Sequence, residues 1–173
     1  MMQPVTEIPL FTFPTRESLQ GWQAINDVVM GGRSVGEVEW QPPGVLVFTG
    51  TVSLIGGGFA SVRSPAGDYN LAAVRGLRLL VQGDGKRYKV NLRTDLSYDG
   101  IAYQAGFQTA PGEWLTVDLA FADFQPTYHG RVPSRATPLA PAEIKSFGLV
   151  IADRQEGPFR LAVQSIMAVG ASA

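Results

Sequence analysis

The chain has 173 residues, of which 45% are hydrophobic and 17% charged, and its formal net charge is −1. This composition excludes intrinsic disorder, which needs low hydrophobicity and high net charge, and it lacks the basic field that draws proteins onto nucleic acid. The 20 glycines and 12 prolines are too many helix breakers for a helical bundle.

Short apolar or alternating runs recur along the chain, each bounded by Gly, Pro, Asp or Asn, as is typical of strands joined by turns. The predicted strands, in chain order, are Ile8–Phe13, Trp22–Asn26, Ser34–Trp40, Val45–Ser53, Phe59–Arg63, Gly76–Gln82, Arg87–Thr94, Ala102–Gln108, Leu115–Leu119, Ser146–Ala152 and Phe159–Val169. Helical turns are predicted only at Arg16–Leu19 and Ala142–Ile144. Many short strands without a long amphipathic helix predict an all-β protein, an antiparallel β-sandwich of the jelly-roll type. We expect residues 1–173 to form one domain.

The strand predicted at Arg87–Thr94 alternates apolar and polar residues. Its apolar residues should face the core: Tyr88, Val90 and Leu92. Its polar residues should then face outward: Lys89, Asn91 and Arg93. Gln104 on the next strand extends this polar face, and Arg63 joins it if its strand is adjacent. Arg, Asn and Gln hydrogen-bond in defined geometry, so we predict that this face binds a partner; the alternative is the solvated side of a sheet.

Candidate catalytic groups are few. The sequence has one histidine, His129, and no G-x-S-x-G nucleophile elbow that would place a serine beside it, so a Ser–His–Asp triad is not indicated. Glu37 and Glu39 would project from the same face of one strand, which makes a hydrolase using both the third candidate function. Catalytic carboxylates flank a scissile bond from two sides, however, so a solvated strand face explains this pair better. We predict a protein that is not an enzyme.

Metal and cofactor patterns are also missing from the sequence. There is no cysteine and no second histidine for a soft-ligand metal site, and the Gly-rich segments at residues 31–32 and 56–58 do not match a phosphate-binding loop. These glycines are better explained by turns that need a positive φ. No metal and no cofactor are predicted, and an oxygen-ligated structural calcium stays open as an alternative.

The first ten residues contain no basic residue, unlike a secretory signal or an Arg-rich transit peptide. The apolar runs are all far shorter than the ~18 residues of a transmembrane helix. We therefore expect a soluble, cytoplasmic protein, without membrane insertion and without a nucleic-acid partner.

Residues 22–34 read WQAINDVVMGGRS. This segment resembles the opening signature of the complex I intermediate-associated protein family, a Trp followed by Asn-Asp-x-Val-Met-Gly-Gly-x-Ser. Further matches follow in order over about residues 10–169: FTG at 48–50, GGGFASVR at 56–63, GDGKRY at 83–88, DFQP at 123–126, GR at 130–131, GLVIAD at 148–153 and GPF at 157–159.

The resemblance implies a galactose-binding-like jelly roll. It also implies a role like that of the mitochondrial members, which are assembly factors for respiratory complex I and not themselves oxidoreductases. We therefore expect an assembly-factor-like domain that engages a protein partner, such as subunits of a membrane complex under construction, and that is peripheral to this complex. A carbohydrate- or small-ligand-binding module is the alternative.

Five residues of the opening signature are predicted to be structural: Trp22, Asn26, Asp27, Gly31 and Gly32. Asn and Asp side chains stabilise turns by accepting hydrogen bonds from nearby backbone N–H groups. Two tryptophans can distinguish a protein-binding from a carbohydrate-binding function, because sugar rings stack on exposed aromatic faces. Trp40 and Trp114 would have to line a groove in a sugar-binding protein.

Overall fold

Two antiparallel six-stranded sheets form the protein. The computed structural model describes residues 5–26, 32–97, 100–128, 131–134 and 137–171. The strands, in chain order, are β1 (Val5–Thr12), β2 (Gln23–Asn26), β3 (Val35–Gln41), β4 (Val45–Val52), β5 (Ala60–Arg63), β6 (Gly76–Gln82), β7 (Arg87–Arg93), β8 (Ala102–Gln108), β9 (Trp114–Ala120), β10 (Gln125–Thr127), β11 (Ser146–Ile151) and β12 (Gly157–Ala171).

The first sheet, sheet A, has the strand order β3-β4-β12-β6-β9, with β1 added alongside β12. Strand β12 is 15 residues long and organises this sheet. One edge of β12 pairs with β4 through its first half and with β1 through its second half, while its other edge pairs with β6. A long central strand therefore joins the two ends of the chain into one sheet.

The second sheet, sheet B, has the strand order β10-β8-β7-β11-β5-β2. Strand β11 lies in its middle, and all six of its residues are buried. The apolar faces of the two sheets meet in one core that includes Phe48 and Leu161 of sheet A and Tyr88 and Phe147 of sheet B. This arrangement is the antiparallel β-sandwich that the sequence predicted.

All eleven predicted strands are present, and Gly76–Gln82 and Ala102–Gln108 have the predicted bounds. Strand β10 was missed, because three residues that include Pro126 are too few to show alternation. The helical segments in the described ranges are three 3-10 turns at Arg16–Leu19, Phe121–Asp123 and Pro141–Glu143. Among the described residues, no helix is long and apolar enough to cross a membrane.

Trp22 of the opening signature lies in the core and is 8% exposed. Its ring meets the edges of two aromatic rings at the end of β1, with centroid distances of 5.1 Å to Phe11 and 6.0 Å to Phe13. Phe11 in turn contacts Phe147 of β11 at 5.3 Å. The tryptophan thus belongs to an aromatic cluster that spans both sheets.

A single carboxylate, that of Asp84 in the turn between β6 and β7, also links the two sheets. Its Oδ1 accepts hydrogen bonds from the Tyr88 hydroxyl at 2.9 Å and from the Lys86 N–H at 3.1 Å. Its Oδ2 accepts the N–H of Arg160, on β12 of sheet A, at 2.9 Å. Charge-assisted bonds of this kind are stronger than neutral ones. Asp84 therefore holds Tyr88, and with it β7, against sheet A.

The glycine before Asp84 is required by close packing. A Cβ on Gly83 would lie 2.4 Å from the side chain of Thr109. Thr109 is buried, and its hydroxyl accepts the N–H of Gly85 at 3.1 Å and donates to the carbonyl of Lys86 at 2.6 Å. The segment GDGKRY, which matched the family pattern, is thus a structural turn that locks against the β8–β9 connection.

We predict that Asp84→Ala lowers the free energy of unfolding by about 2–4 kcal/mol, because it removes three charge-assisted bonds and leaves the buried Tyr88 hydroxyl unpaired. Chemical denaturation measures this loss. Asp118→Ala is the control, since the Asp118 side chain is 61% exposed and pairs with Arg78 at the surface. Exposed ion pairs contribute about 0–1 kcal/mol. Equal losses in the two variants would contradict the role of Asp84.

Stability should also fall at high pH. Burial raises the pKa of Tyr88 well above the ordinary tyrosine value of about 10, and the neighbouring Asp84 charge raises it further. Above pH ~10 the unfolded chain releases a proton that the folded chain keeps, so stability present below that pH is lost as pH rises. We expect a smaller loss between pH 9 and 11 in Tyr88→Phe, measured by denaturation at each pH. Identical pH slopes would contradict it.

Candidate functional site

The outer face of sheet B, turned away from the core, carries polar residues in register on neighbouring strands. Backbone pairing places one residue from each of the six strands side by side. This set, the outer row, consists of Gln125 (β10), Gln104 (β8), Asn91 (β7), Gly148 (β11), Arg63 (β5) and Gln23 (β2). The fold thus brings together residues that are up to 125 positions apart in the sequence.

The pleat of β7 explains why these side chains face outward. Tyr88, Val90 and Leu92 are at most 1% exposed and lie in the core. Because successive side chains alternate between the two faces, the residues between and after them must point to the outer face. These are Lys89, Asn91 and Arg93, as the alternation predicted. Gln104 joins the same face as expected. Arg63 also lies on it, although its strand β5 is separated from β7 by β11, and the binding role of the face stays a prediction.

The amide side chains of the outer row make no hydrogen bond within the part of the chain that the structure describes. Within the described ranges, no hydrogen bond joins the side chain of Gln23, Asn91, Gln104 or Gln125 to the rest of the chain. Asn91 Oδ1 is moreover shielded from solvent, with no hydrogen-bond partner among the described residues. Leaving a buried acceptor unpaired costs about 1–3 kcal/mol, and such groups are rare in folded proteins. The row therefore presents hydrogen-bonding capacity that the fold does not use.

Strand β11 carries short side chains on the outer face of sheet B. Its three outward residues are small or short: Ser146, Gly148 and Val150, all of them buried. A Cβ on Gly148 would lie 3.0 Å from the Val62 carbonyl oxygen and 3.4 Å from the Asn91 Cβ. Gly148 is flanked by Asn91 of β7 and Arg63 of β5, which carry longer side chains.

Two of the predicted site residues are tied to loops at the ends of β7. Lys89 Nζ lies 3.1 Å from the Asp153 carboxylate. Arg93 Nη1 donates a 2.9 Å hydrogen bond to the carbonyl of Gly100, so it also supports the connection to β8. Alternation alone could not show these contacts, because both acceptors lie in loops. Arg93 therefore has a structural contact in addition to its predicted place on the face.

The charged residues at the outward strand positions of sheet B are all cationic. The outward strand positions of sheet B carry four cationic residues and no Asp or Glu. These cations are Arg63, Arg87, Lys89 and Arg93. The outward strand positions also carry no aromatic residue. The outward strand positions are thus rich in amides and hold no aromatic side chain, and one of their cations, Lys89, is paired with Asp153 from the loop after β11.

A depression of about 260 Å³ lies at the β10 end of this face. Its walls include Lys89, Gln104, Gly106, Gln125, Thr127 and Val132. Val132 is 72% exposed, so an apolar contact is available beside the polar ones. Neither this depression nor Gln125 was predicted, because three residues with a proline do not show the alternation of a strand.

The opening signature lies partly outside the described residues. Asp27 and Gly31 fall outside them, and Asn26 ends β2, with its side chain outside them as well. Gly32 is buried. Ser34, the last residue of the signature, is fully buried. Its hydroxyl accepts the N–H of Ser53 at 2.9 Å and donates to the carbonyl of Ser53 at 3.2 Å. This part of the signature ties the start of β3 to the end of β4.

The other candidates that lie within the described residues do not form a site. Gly56 and Gly58 have φ values of +76° and +127°, so they serve the turns that were predicted for them. Glu37 and Glu39 are exposed on β3, an edge strand of sheet A, and stand side by side. His129 lies outside the described residues.

Trp40 and Trp114, which would have to line a groove in a sugar-binding protein, lie away from the outer face of sheet B. Trp40 is half-buried, its Nε1 donates to the carbonyl of Phe13 at 2.8 Å, and the Arg16 guanidinium lies 5.3 Å from the centre of its ring. Trp114 is 43% exposed but lies on β9 of sheet A. Neither provides a stacking surface beside the outer row, which weakens the sugar-binding alternative.

Comparison with known proteins adds the family. The model of the family "Complex I intermediate-associated protein 30" matches residues 11–163. The chain belongs to this family. A Neurospora crassa relative, "Complex I intermediate-associated protein 30, mitochondrial", is 26% identical over 200 residues, covering 92% of this chain and 72% of that protein. The mouse relative of the same name is 27% identical over 184 residues, covering 91% of this chain and 54% of that protein.

Solved structures with this fold include carbohydrate-binding modules. A family 11 module of a Clostridium thermocellum cellulosomal cellulase has a TM-score of 0.74 at 14% identity, covering 97% of this chain and 96% of that one. A family 11 module in complex with a β-1,3-1,4-mixed-linked tetrasaccharide has a TM-score of 0.71 at 14% identity, covering 95% and 96%. These likenesses confirm the galactose-binding-like jelly roll that the family resemblance implied.

The expected cytoplasmic location is wrong on this comparison. The Neurospora, mouse and Caenorhabditis elegans relatives of the complex I intermediate-associated family are all named as mitochondrial proteins. The expectation rested on the lack of basic residues among the first ten, and this is not a property of the folded sandwich.

We predict that Asn91→Leu does not destabilise this family member. Replacing an unpaired buried amide by an apolar side chain of similar size is neutral or stabilising, so the free energy of unfolding should stay equal or rise by up to ~1 kcal/mol. Gly148→Ala is the control, because its Cβ would meet the Val62 carbonyl oxygen at 3.0 Å, and it should lose stability. Urea denaturation compares the variants. A loss above ~1 kcal/mol in Asn91→Leu would show that the amide is structurally bonded.

Proposed function

We propose that this protein is a non-enzymatic binding factor that engages a protein partner during the assembly of mitochondrial complex I, and that it does so through the outer face of sheet B. The assembly role is supported by family membership and by the names of relatives that align over more than nine-tenths of the chain. The chain spans about half the length of the mouse relative, so the proposal concerns this domain alone.

The observation that carries the proposal is the set of unbonded amides in the outer row. An amide both donates and accepts hydrogen bonds, so it matches the backbone and polar side chains of another polypeptide. Protein interfaces use about one hydrogen bond per 100–200 Å², and a row across six strands supplies several at once. The depression at the β10 end, lined by Gln104 and Gln125, gives the partner a place to approach the sheet.

A hydrolytic function has less support. The outward strand positions of sheet B hold no Asp or Glu, and Glu37 and Glu39 stand side by side on an exposed edge strand of sheet A. Glycoside hydrolysis needs an acid and a second carboxylate on opposite sides of the scissile bond. The described part of the chain offers no such pair on the candidate face.

A carbohydrate-binding role is the second candidate, favoured by one observation: the same fold holds a mixed-linked tetrasaccharide in a family 11 carbohydrate-binding module. Sugar rings bind best where an aromatic face is exposed. No outward strand position of sheet B is aromatic, and Trp40 and Trp114 lie elsewhere. The protein partner therefore fits this face better.

Affinity capture from detergent-solubilised mitochondrial membranes tests the proposal. We expect the immobilised protein to retain complex I subunits, and Gln104→Ala combined with Asn91→Leu to weaken their binding about tenfold, or ~1.4 kcal/mol. Loss of several interfacial hydrogen bonds is the physical reason. Quantitative mass spectrometry of the retained proteins gives the readout.

The matched control for this capture is Arg160→Ala on the outer face of sheet A, where Arg160 bonds to Gln41 at 3.0 Å. It should retain the same proteins as the wild type. Only variants whose melting temperature equals that of the wild type are compared. Equal capture by every variant would remove the outer face of sheet B from consideration. Retardation by mixed-linked β-glucan in affinity electrophoresis, without capture of any protein, would favour the second candidate instead.

A further inference from the structure

We propose that two copies of this chain pair through strand β9, antiparallel and around a two-fold axis at Val117, so that their A sheets join into one continuous sheet. Strand β9 ends the strand order of sheet A and, among the described residues, pairs with β6 alone. The face proposed to bind the assembly partner belongs to sheet B instead. The pairing is therefore a second interaction surface, independent of the first.

The free edge of β9 presents the backbone groups of every second residue. Phe121, just past the strand, donates its N–H to the carbonyl of Arg75 at 2.9 Å, so these two residues form a hydrogen-bonded pair. Such pairs alternate with non-hydrogen-bonded ones along an antiparallel ladder, so Leu115, Val117 and Leu119 point their N–H and C=O groups toward β6. The residues that point these groups to the free edge are Trp114, Thr116, Asp118 and Ala120. Within the described ranges, no other strand or loop bonds to this edge.

Strand β9 lacks the features that keep exposed edges from pairing, which include proline, lysine, bulges and shortness. The other edge strands have such features. Strand β10 has three residues including Pro126, β2 has four residues, and β1 contains Pro9 and a register shift. Strand β3 carries the carboxylates of Glu37 and Glu39. Strand β9, in contrast, keeps an unbroken register with β6 over all seven residues and contains neither proline nor lysine. It is therefore open to a further strand.

Apolar side chains on β9 are incompletely covered. Leu115 and Val117 pack against the core but are only half-buried. Their partners on β6, Val81 and Leu79, are 0% exposed. This difference is expected for a strand that has a neighbour on one side only. A further strand along the free edge covers the remaining apolar surface, and its removal from water favours association.

The sequence of β9 is complementary to itself, which indicates a second copy as the further strand. With Val117 opposite Val117 of the second copy, all seven residues of β9 have a residue opposite them. The resulting pairs are Trp114–Ala120, Leu115–Leu119, Thr116–Asp118 and Val117–Val117. A large ring thus meets a small side chain, apolar residues meet on the core side, and the Thr116 hydroxyl donates to the Asp118 carboxylate, which Arg78 of β6 orients from 2.6 Å.

Other registers are less favourable. Two residues opposite each other must both point their backbone groups to the shared edge or both point them away, so the register shifts only in steps of two. One shift places Asp118 opposite Asp118 of the second copy, where like charges repel. The opposite shift places Thr116 opposite itself and leaves Leu119 and Ala120 beyond the end of the second β9. Charge and length therefore both favour the register around Val117.

Single cysteines test the pairing, because the chain contains none. The two Val117 Cα atoms form a non-hydrogen-bonded pair about 4.5 Å apart, within reach of a disulfide. We expect Val117→Cys to give a covalent dimer under mild oxidation with copper phenanthroline, measured on a non-reducing gel. Thr116→Cys and Asp118→Cys are the controls, because strand spacing and rise place each of them about 8 Å from its own copy, too far for a disulfide.

The three cysteine variants separate the possible outcomes. A dimer from Val117→Cys alone supports the register. Crosslinking of Thr116→Cys or Asp118→Cys in place of Val117→Cys would overturn it, because these variants report the two shifted registers. No crosslink in any of the three would overturn the pairing itself.

Charge at Thr116 gives an independent test by sedimentation velocity over a series of protein concentrations. Thr116 is exposed, so both variants should keep the circular dichroism spectrum of the wild type. Thr116→Glu places a second carboxylate opposite Asp118, and we expect the dissociation constant of the dimer to rise at least tenfold. Thr116→Lys places a cation there, and the constant should fall at least threefold. A wild type that sediments as a monomer at every concentration, or equal constants in the two variants, would overturn the proposal. Neither result bears on capture of complex I subunits through sheet B.

Discussion

The candidate site depends on the two-residue side-chain period of β7. Tyr88 is anchored in the core by burial and by its hydrogen bond to Asp84, which also binds the backbone of β12. Once that side chain is inside, Asn91 can only face outward, since a shift of one residue would exchange the two faces of the strand. The turn residues of the family pattern thus determine what the outer face presents, although they lie at one end of it.

Strand β11 lies in the middle of the sheet that carries this face. Its inward residues fill the core, while Gly148 has no side chain beside the Asn91 amide oxygen, which has no partner among the described residues. An unpaired buried acceptor reduces stability. We interpret this loss of stability as a sign that another molecule supplies the missing hydrogen bond when it binds this surface.

The sequence alone was sufficient for the sandwich, for most strand bounds and for the outward face of β7, because these follow from local alternation. It could not show that Gln125, Arg63 and Gln23 align with Asn91, since strand order is set by long-range pairing. Proline and shortness concealed β10 and the depression beside it. The contact between Arg93 and Gly100, and the sheet-to-sheet role of Asp84, depend on loop geometry that no spacing pattern reports.

Family membership supplies the biological context of assembly, and the fold shared with carbohydrate-binding modules supplies the scaffold. The proposed function requires that the outer row contacts the partner. Nitrogen-15 NMR of side-chain amides tests it most directly, with labelled protein titrated with the captured partner. The account predicts shifts at Gln23, Asn91, Gln104 and Gln125 and none at Gln41 or Gln82 of sheet A. Shifts confined to Gln41 and Gln82 would contradict it.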